Sequence, residues 1–436
     1  MNQSKDDTNH QVLTRQLGSV GATFMGLGAM VGTGVFVSIG IAAGVAGPAV
    51  ILAVMVAAGV ALCNALSSAQ LAASHPVSGG TYEYGYKYLA PSLGFTAGWM
   101  FLCAKSASAA TAALGFGGYL LHLTGWGSPW ALTLLAGVVS IVVTLLVLSG
   151  LKRSNFANIL IVSATLLALL VFIAFAGSAA VSRAGENLSP LFPDNEDSLR
   201  TFLQACALMF VAYTGYGRIA TMGEEVCNPK RVIPRAIIAV MVISAILYMA
   251  VGLAAVGSFG AARLGEVTSA QAAPLETVLR SLDHPLAATL VALGAMTAML
   301  GVLLNLLLGL SRVALAMGRR SDLPEAFARV DSSGSTPTVA VIGVGVLVTS
   351  LTLIGDVKLT WSFSAFTVLI YYAITNLAAL RLAGTARLYP RWVSILGLVA
   401  CAFLAFWVET AVWLTGLALI ILGLLWHTIR RMLFSV

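Results

Sequence analysis

Two glycine-rich stretches and one lysine hold the residues of this chain that could do chemistry. The first stretch runs Gly26-Leu27-Gly28-Ala29-Met30-Val31-Gly32-Thr33-Gly34-Val35-Phe36. The second runs Phe210-Val211-Ala212-Tyr213-Thr214-Gly215-Tyr216-Gly217-Arg218-Ile219-Ala220-Thr221, and each sits inside an otherwise apolar run. Glycine and β-branched residues weaken a helix, so both runs are expected to open near their middle. Main-chain groups freed in hydrocarbon cost several kcal/mol each unless something satisfies them, so an opening there implies a cavity with a polar ligand. The ends of half-helices fix what kind: N-termini offer N–H groups to a carboxylate, and C-termini offer carbonyls to an ammonium group. The amides of Gly32, Thr33 and Gly34 and the carbonyls of Ala29, Met30, Phe210 and Val211 would then hold a zwitterion, with Tyr213, Thr214 and Gly215 around it. Small residues also make packing faces between membrane helices, and either glycine cluster alone fits that reading as well.

Lys105 is the least expected side chain. Eleven residues beyond Gly94, at a rise of ~1.5 Å each, it lies about halfway across a ~30 Å hydrocarbon core. A charged lysine there costs on the order of 2.5–3.5 kcal/mol. Every Asp and Glu lies in a tail, a loop or the end of an apolar run, Glu224, Glu225 and Glu409 included, so no resident carboxylate is expected beside it. Lys105 is therefore uncharged, or donates to carbonyls or hydroxyls such as those of Ser106 and Ser108, or meets an acidic ligand. Snorkelling to an interface is the remaining reading.

The elements that position these groups follow from composition. With 59% hydrophobic and 9% charged residues in 436, against roughly 25% charged in ordinary soluble chains, the fold class is an all-α polytopic membrane protein. The apolar runs divide into twelve spans at 18–42, 48–73, 94–121, 129–149, 154–177, 199–222, 235–259, 285–317, 338–355, 358–383, 391–408 and 410–429. Basic residues sort by side. Lys152, Arg153, Lys230, Arg231, Arg319, Arg320, Arg430 and Arg431 fall with both termini, and Arg183, Arg200, Arg263, Arg280 and Lys358 fall opposite, which places the termini in the cytoplasm. The net charge of +7 is a product of that bias and implies no nucleic-acid partner. Met1 to Gln16 has no apolar core and is read as a retained tail, not a cleaved signal.

The interruptions fall in the first and sixth spans. An interrupted helix recurring after five spans marks an inverted five-plus-five repeat, which favours a solute site over a packing face. The division expected is a tail at 1–17, a first repeat at 18–177, an outer loop at 178–198, a second repeat at 199–383, and two further spans with a tail at 384–436.

Other residues are weighed against that frame. Asn305, polar at mid-depth in the eighth span, either lines the cavity or bonds between helices. Trp361, Phe363 and Phe366 in the tenth span are gate aromatics or core packing, and Arg218 is a candidate for coupling or gating. Pro76 and Gly79-Gly80 end the second span before a Tyr-rich interfacial helix, and Phe259 to His284 has room for a short helix over the outer mouth. The five cysteines are scattered without a CxxC, and the histidines lie in tails, loops or span ends, so neither a disulfide framework, a metal site nor a histidine relay is expected.

Several motifs together resemble the amino acid-polyamine-organocation (APC) permeases, especially bacterial permeases similar to cationic amino acid transporters. They are Val31-Gly32-Thr33-Gly34-Val35-Phe36, Pro76-Val77-Ser78-Gly79-Gly80-Thr81-Tyr82 with Gly98-Trp99, and Phe210 to Gly215 leading to Glu224-Glu225-Val226-Cys227-Asn228-Pro229-Lys230-Arg231. Ser311-Arg312 and Ala316 to Pro324 complete the set. The resemblance implies a leucine-transporter-like inverted repeat in the plasma (inner) membrane. It also implies alternating access and proton-coupled or exchanging transport of an amino acid or amine, without enzymatic activity or cofactor. Departures narrow the solute. Where relatives resembling arginine-agmatine exchangers carry an acidic gate in the sixth helix, this chain has Gly217 and Arg218, and Lys105 stands where their third helix faces the substrate side chain. A cationic pocket repels arginine, lysine and polyamines. Lys105 would then titrate to couple protons or bind an acidic side chain. The fifth-helix lysine that mimics sodium in some proton-coupled relatives is absent, its place falling near Ser163 or Ala164. Coupling to H+ or Na+ both stay open, since carbonyls and hydroxyls can hold sodium. The partners implied are a small solute, an amino acid foremost, and the lipid bilayer, and the pattern sets no oligomeric state. A membrane enzyme would need carboxylates or histidines at one level, and a channel would need rings of charge; the sequence places neither.

Overall fold

A computed structural model describes residues 18–76, 79–125, 130–150, 155–192, 197–220, 226–330 and 336–434. The N-terminal tail, Val77-Ser78 and the Glu224-Glu225 pair lie outside the described residues. The first span is cut into α1 (Ser19–Met30), α2 (Thr33–Phe36) and α3 (Ser38–Ala46). α4 (Val50–Ser74) is the second span, and the Tyr-rich piece after it is the separate helix α5 (Thr81–Tyr88). α6 (Pro91–Thr124), α7 (Ala131–Leu148) and α8 (Asn155–Asn187) are spans three to five; α8 stays helical through the first half of the segment expected as an outer loop. The sixth span is α9 (Ser198–Ala212), a 3-10 turn at Thr214–Tyr216 and α10 (Gly217–Ala220). α11 (Pro229–Phe259) leads into two outer helices where one was expected, α12 (Ala261–Gln271) and α13 (Pro274–Ser281). α14 (Pro285–Arg319), α15 (Thr338–Thr352), α16 (Val357–Leu380), α17 (Arg391–Leu404) and α18 (Thr410–Phe434) complete the twelve.

Local chemistry sets the boundaries. Proline opens α6, α11, α13 and α14, where its missing N–H would have no partner in any case. Asp356 caps α16, its carboxylate accepting from the amides of Lys358 at 2.8 Å and Leu359 at 3.0 Å. Gly260, at φ +85°, makes the turn from α11 into α12 that a side chain would strain.

Among the described residues seven helical stretches, one of them α2 to α4 taken together, are long and apolar enough to cross a membrane. Leu134, Leu145, Leu160, Leu167, Leu290 and Leu422 are exposed and form part of an apolar belt. α6 differs: rich in Gly, Ala, Ser and Thr and mostly buried, it is the central post of the bundle. The packing repeats when each span is exchanged for the one five places on. α6 packs on α14 and α4 on α11; α6 on α16 is matched by α14 on α8, and α4 on α9 by α11 on α1. That pairing is what an inverted repeat requires, with the two broken spans at its centre and α17 and α18 outside it.

Candidate functional site

The chain leaves α1 at Val31, which is extended (φ −83°, ψ 96°), and re-enters a helix after Gly32. Among the described residues no acceptor takes the amides of Gly32, Thr33 or Gly34, and the Thr33 hydroxyl is buried without a partner. These are the open donors the sequence led one to expect. The sixth span opens less. Its Tyr213 amide donates to the Phe210 carbonyl at 3.1 Å, and the Thr214 hydroxyl donates to the Val211 carbonyl at 2.8 Å. The carbonyls expected to be bare in α9 are therefore largely taken, that of Phe210 by one amide and that of Val211 by an amide and the Thr214 hydroxyl.

Glycine lets the two breaks touch. A Cβ on Gly34 would lie 2.8 Å from the Ala212 Cβ, and one on Gly215 would lie 2.5 Å from the Ala29 carbonyl oxygen and 2.6 Å from the Met30 Cα. The glycines are thus both a helix break and a packing face, because the broken backbones pack directly on each other. Tyr248 of α11 spans the seam, its hydroxyl 2.7 Å from the Met30 carbonyl and 3.1 Å from that of Ala212. Tyr372 of α16 donates to the Thr214 carbonyl at 3.2 Å.

Lys105 is buried on α6, and its Nζ donates to the Thr214 hydroxyl at 2.8 Å. The donation is to a hydroxyl, one of the expected alternatives, but to that of Thr214 and not of Ser106 or Ser108: Ser108 bonds Ser364 at 2.7 Å, and among the described residues Ser106 has no partner. Ser108, three residues on, shares the cavity face with Lys105 but is engaged with Ser364, whereas the long lysine stem reaches across to the kink of span six. Among the described residues no carboxylate pairs with Lys105.

These groups surround a cavity of about 100 Å³ lined by Ala29, Met30, Thr33, Gly34, Lys105, Val211, Thr214, Gly215, Arg218, Asn305 and Trp361, all singled out from the sequence. Gly32, Phe210, Tyr213 and Phe363 do not line it. Gly32 faces Val302, Phe210 packs edge-on against Tyr372, and Tyr213 stacks obliquely on Tyr248. Phe363 packs against the core. Asn305 serves in both roles weighed for it, lining the cavity while its amide donates to the Gly28 carbonyl at 3.4 Å. Sequence reasoning missed Tyr371, Tyr372 and Arg312 in the lining and Tyr248 behind it. Buried tyrosines in the middle of apolar spans were the available signal, since a buried hydroxyl needs a partner.

Closure is one-sided. Toward α12 and α13 the cavity wall includes Trp361, whose Nε1 donates to the Leu208 carbonyl at 2.9 Å, and further along α6 Tyr119 donates to the Phe36 carbonyl at 3.0 Å. A Cβ on Gly44 would meet the Gly265 backbone at 2.9 Å, so α3 and α12 are in direct contact above. At the other end Gly79, Gly309 and the exposed Arg312 line the cavity and mark its mouth. Lys105, Arg218 and Arg312 make the lining cationic, and among the described residues it includes no carboxylate.

This architecture is shared with known proteins. MhsT, solved in complex with L-phenylalanine, superposes with a TM-score of 0.65 over 95% of this chain and 99% of its own, at 16% identity. An uncharacterized transporter of Mycobacterium tuberculosis is 38% identical over 424 residues, 97% of this chain and 92% of that protein. The branched-chain amino acid permease BcaP of Bacillus subtilis is 31% identical over 345 residues, 75% of this chain and 72% of its own. The family model for amino acid permeases matches residues 21–432, nearly the whole length with both broken helices inside, and the chain belongs to the amino acid permease family.

Proposed function

We infer that the protein is a secondary active amino acid transporter working by alternating access. The observation that carries this reading is the meeting of two interrupted helices at a closed-over cavity, with the amides of Gly32, Thr33 and Gly34 and the Thr33 hydroxyl left without acceptors or donors of their own. Such main-chain groups suit the α-carboxylate common to all amino acids, and the Ala29 carbonyl in the cavity wall suits the α-ammonium group. Membership of the amino acid permease family supports the same class of solute. With both termini cytoplasmic, as the charge bias argues, the mouth at Arg312 faces the cytoplasm and the structure is the inward-facing state in a bacterial plasma membrane. Trp361 and Tyr119 then form the outer gate, and the hinge lies at Val31-Gly32 and Tyr213-Thr214. Flux is driven by a coupled proton or by exchange against a second solute.

The experiment is uptake into proteoliposomes holding the full chain, with unlabelled amino acids inside. Saturable uptake accelerated by internal solute establishes a carrier. Flux that never saturates, or no flux for any amino acid, rejects the reading.

A further inference from the structure

The cavity's charge says more about the solute than its main chain does. The α-carboxylate and α-ammonium groups of any amino acid are served by main-chain donors and acceptors, so they make no demand for a lysine in the wall. Yet Lys105 is 8% exposed, nine-tenths buried, and held toward the cavity by its bond to the Thr214 hydroxyl. That hydroxyl donates onward to the Val211 carbonyl, so it accepts from the ammonium group and fixes its position. An ammonium group has three donors, and one is used here. The two that remain, together with the uncompensated charge, call for an anionic partner, and among the described residues the chain supplies none in ion-pair reach. Arg218 and Arg312 extend the positive lining toward the mouth.

We propose that the solute is an acidic amino acid and that Lys105 receives its side-chain carboxylate. The inference rests on the reading of this cavity as a carrier's binding site and deepens it by fixing the class of side chain. The zwitterionic head lies across the two breaks, and the side chain points to the α6 wall, where Lys105 completes its shell with the solute's own oxygens. Lys105 is thus a specificity residue. Cationic side chains are excluded by repulsion, and neutral ones leave the ammonium group buried without a counter-charge.

The test compares L-glutamate and L-aspartate with L-glutamine, L-leucine and L-arginine, by counterflow in proteoliposomes and by thermal stabilisation of the full chain in detergent. Wild type is expected to take the acids at least ~10-fold better than glutamine, which has the same shape without the charge. Lys105→Gln is expected to bring that ratio to near one, and Lys105→Glu to favour arginine. Should either variant fail to fold, the wild-type ranking decides alone. Saturable flux of leucine or glutamine equal to that of glutamate overturns the inference while leaving the carrier standing, as does a Lys105→Gln protein that keeps the preference. Absence of saturable flux for every amino acid overturns both.

Discussion

Tyr248→Phe isolates the hydroxyl that joins the two broken helices. Its oxygen lies 2.7 Å from the Met30 carbonyl and 3.1 Å from the Ala212 carbonyl, one on each side of the seam. The ring stays, and with it the contact to Tyr213 at 5.0 Å between centroids, so the change removes hydrogen bonding without removing volume. Bonds between membrane helices are worth ~0.6 kcal/mol on average and up to ~1.7 kcal/mol. The hydroxyl has a single proton, shared between the two carbonyls, so the loss is that of about one such bond, roughly 0.6–1.7 kcal/mol, or about 3- to 20-fold in an equilibrium constant. Because both partners are the freed ends that frame the site, the loss is expected in solute affinity as well as in stability. The measurements are the thermal unfolding midpoint of purified protein and the concentration of solute needed to raise it. Tyr213→Phe is the control: its hydroxyl reaches a single carbonyl, that of Val54, at 3.4 Å, and the loss should stay under ~1 kcal/mol. If Tyr248→Phe matches wild type in both midpoint and affinity, the hydroxyl does not hold the breaks in register and the account of the seam is wrong.

Four further outcomes are expected. Gly215→Ala places a methyl 2.5 Å from the Ala29 carbonyl and should abolish transport, whereas Gly59→Ala, on the exposed face of α4 with nothing within 4 Å, should leave transport unchanged and stabilise by up to ~1 kcal/mol. Asp322 accepts from Tyr82 and Tyr86 at 2.7 Å each and faces His427 at 3.0 Å, and Asp322→Asn replaces one acceptor oxygen with an NH2 donor and removes the charge; a loss of ~2–4 kcal/mol and faster proteolysis at the end of α18 are expected. Asn376→Leu removes a buried bond to Asn64 and should lower the unfolding midpoint by the equivalent of ~1–2 kcal/mol. Burial first and the Lys87 charge second hold His75 below the ordinary imidazole value of 6.5, so its NMR titration should fall under that pH and move only part of the way back in Lys87→Ala.

The twelve spans and both breaks were legible in the sequence because hydropathy and glycine are local signals, each written in a run of a few dozen residues or fewer. The partner of Lys105 was not. Ser106 and Ser108 are its neighbours in sequence, but the helix turns Ser106 to another face and Ser108 bonds Ser364, while Thr214, more than a hundred positions away, arrives opposite Lys105 through the packing of span six. The same reason hid Tyr248 and Tyr372, whose importance comes from which carbonyls they reach. The carbonyls of α9 were expected bare because a break was equated with loss of hydrogen bonds; the chain instead tightens into a 3-10 turn that keeps most of them. Span one cannot do the same. Gly32 adopts an extended φ of −171°, and the amides of Gly32, Thr33 and Gly34 have no acceptor among the described residues. The two breaks are therefore unequal. One keeps most of its hydrogen bonds and holds Lys105 through Thr214; the other leaves three amides without an acceptor among the described residues. A site built that way should respond to its solute mainly through α1 and α2. Hydrogen exchange at Gly32 to Gly34 should slow on binding by a larger factor than exchange at Thr214 to Gly217, and the reverse ordering would show that the sixth span, not the first, is the element the solute orders.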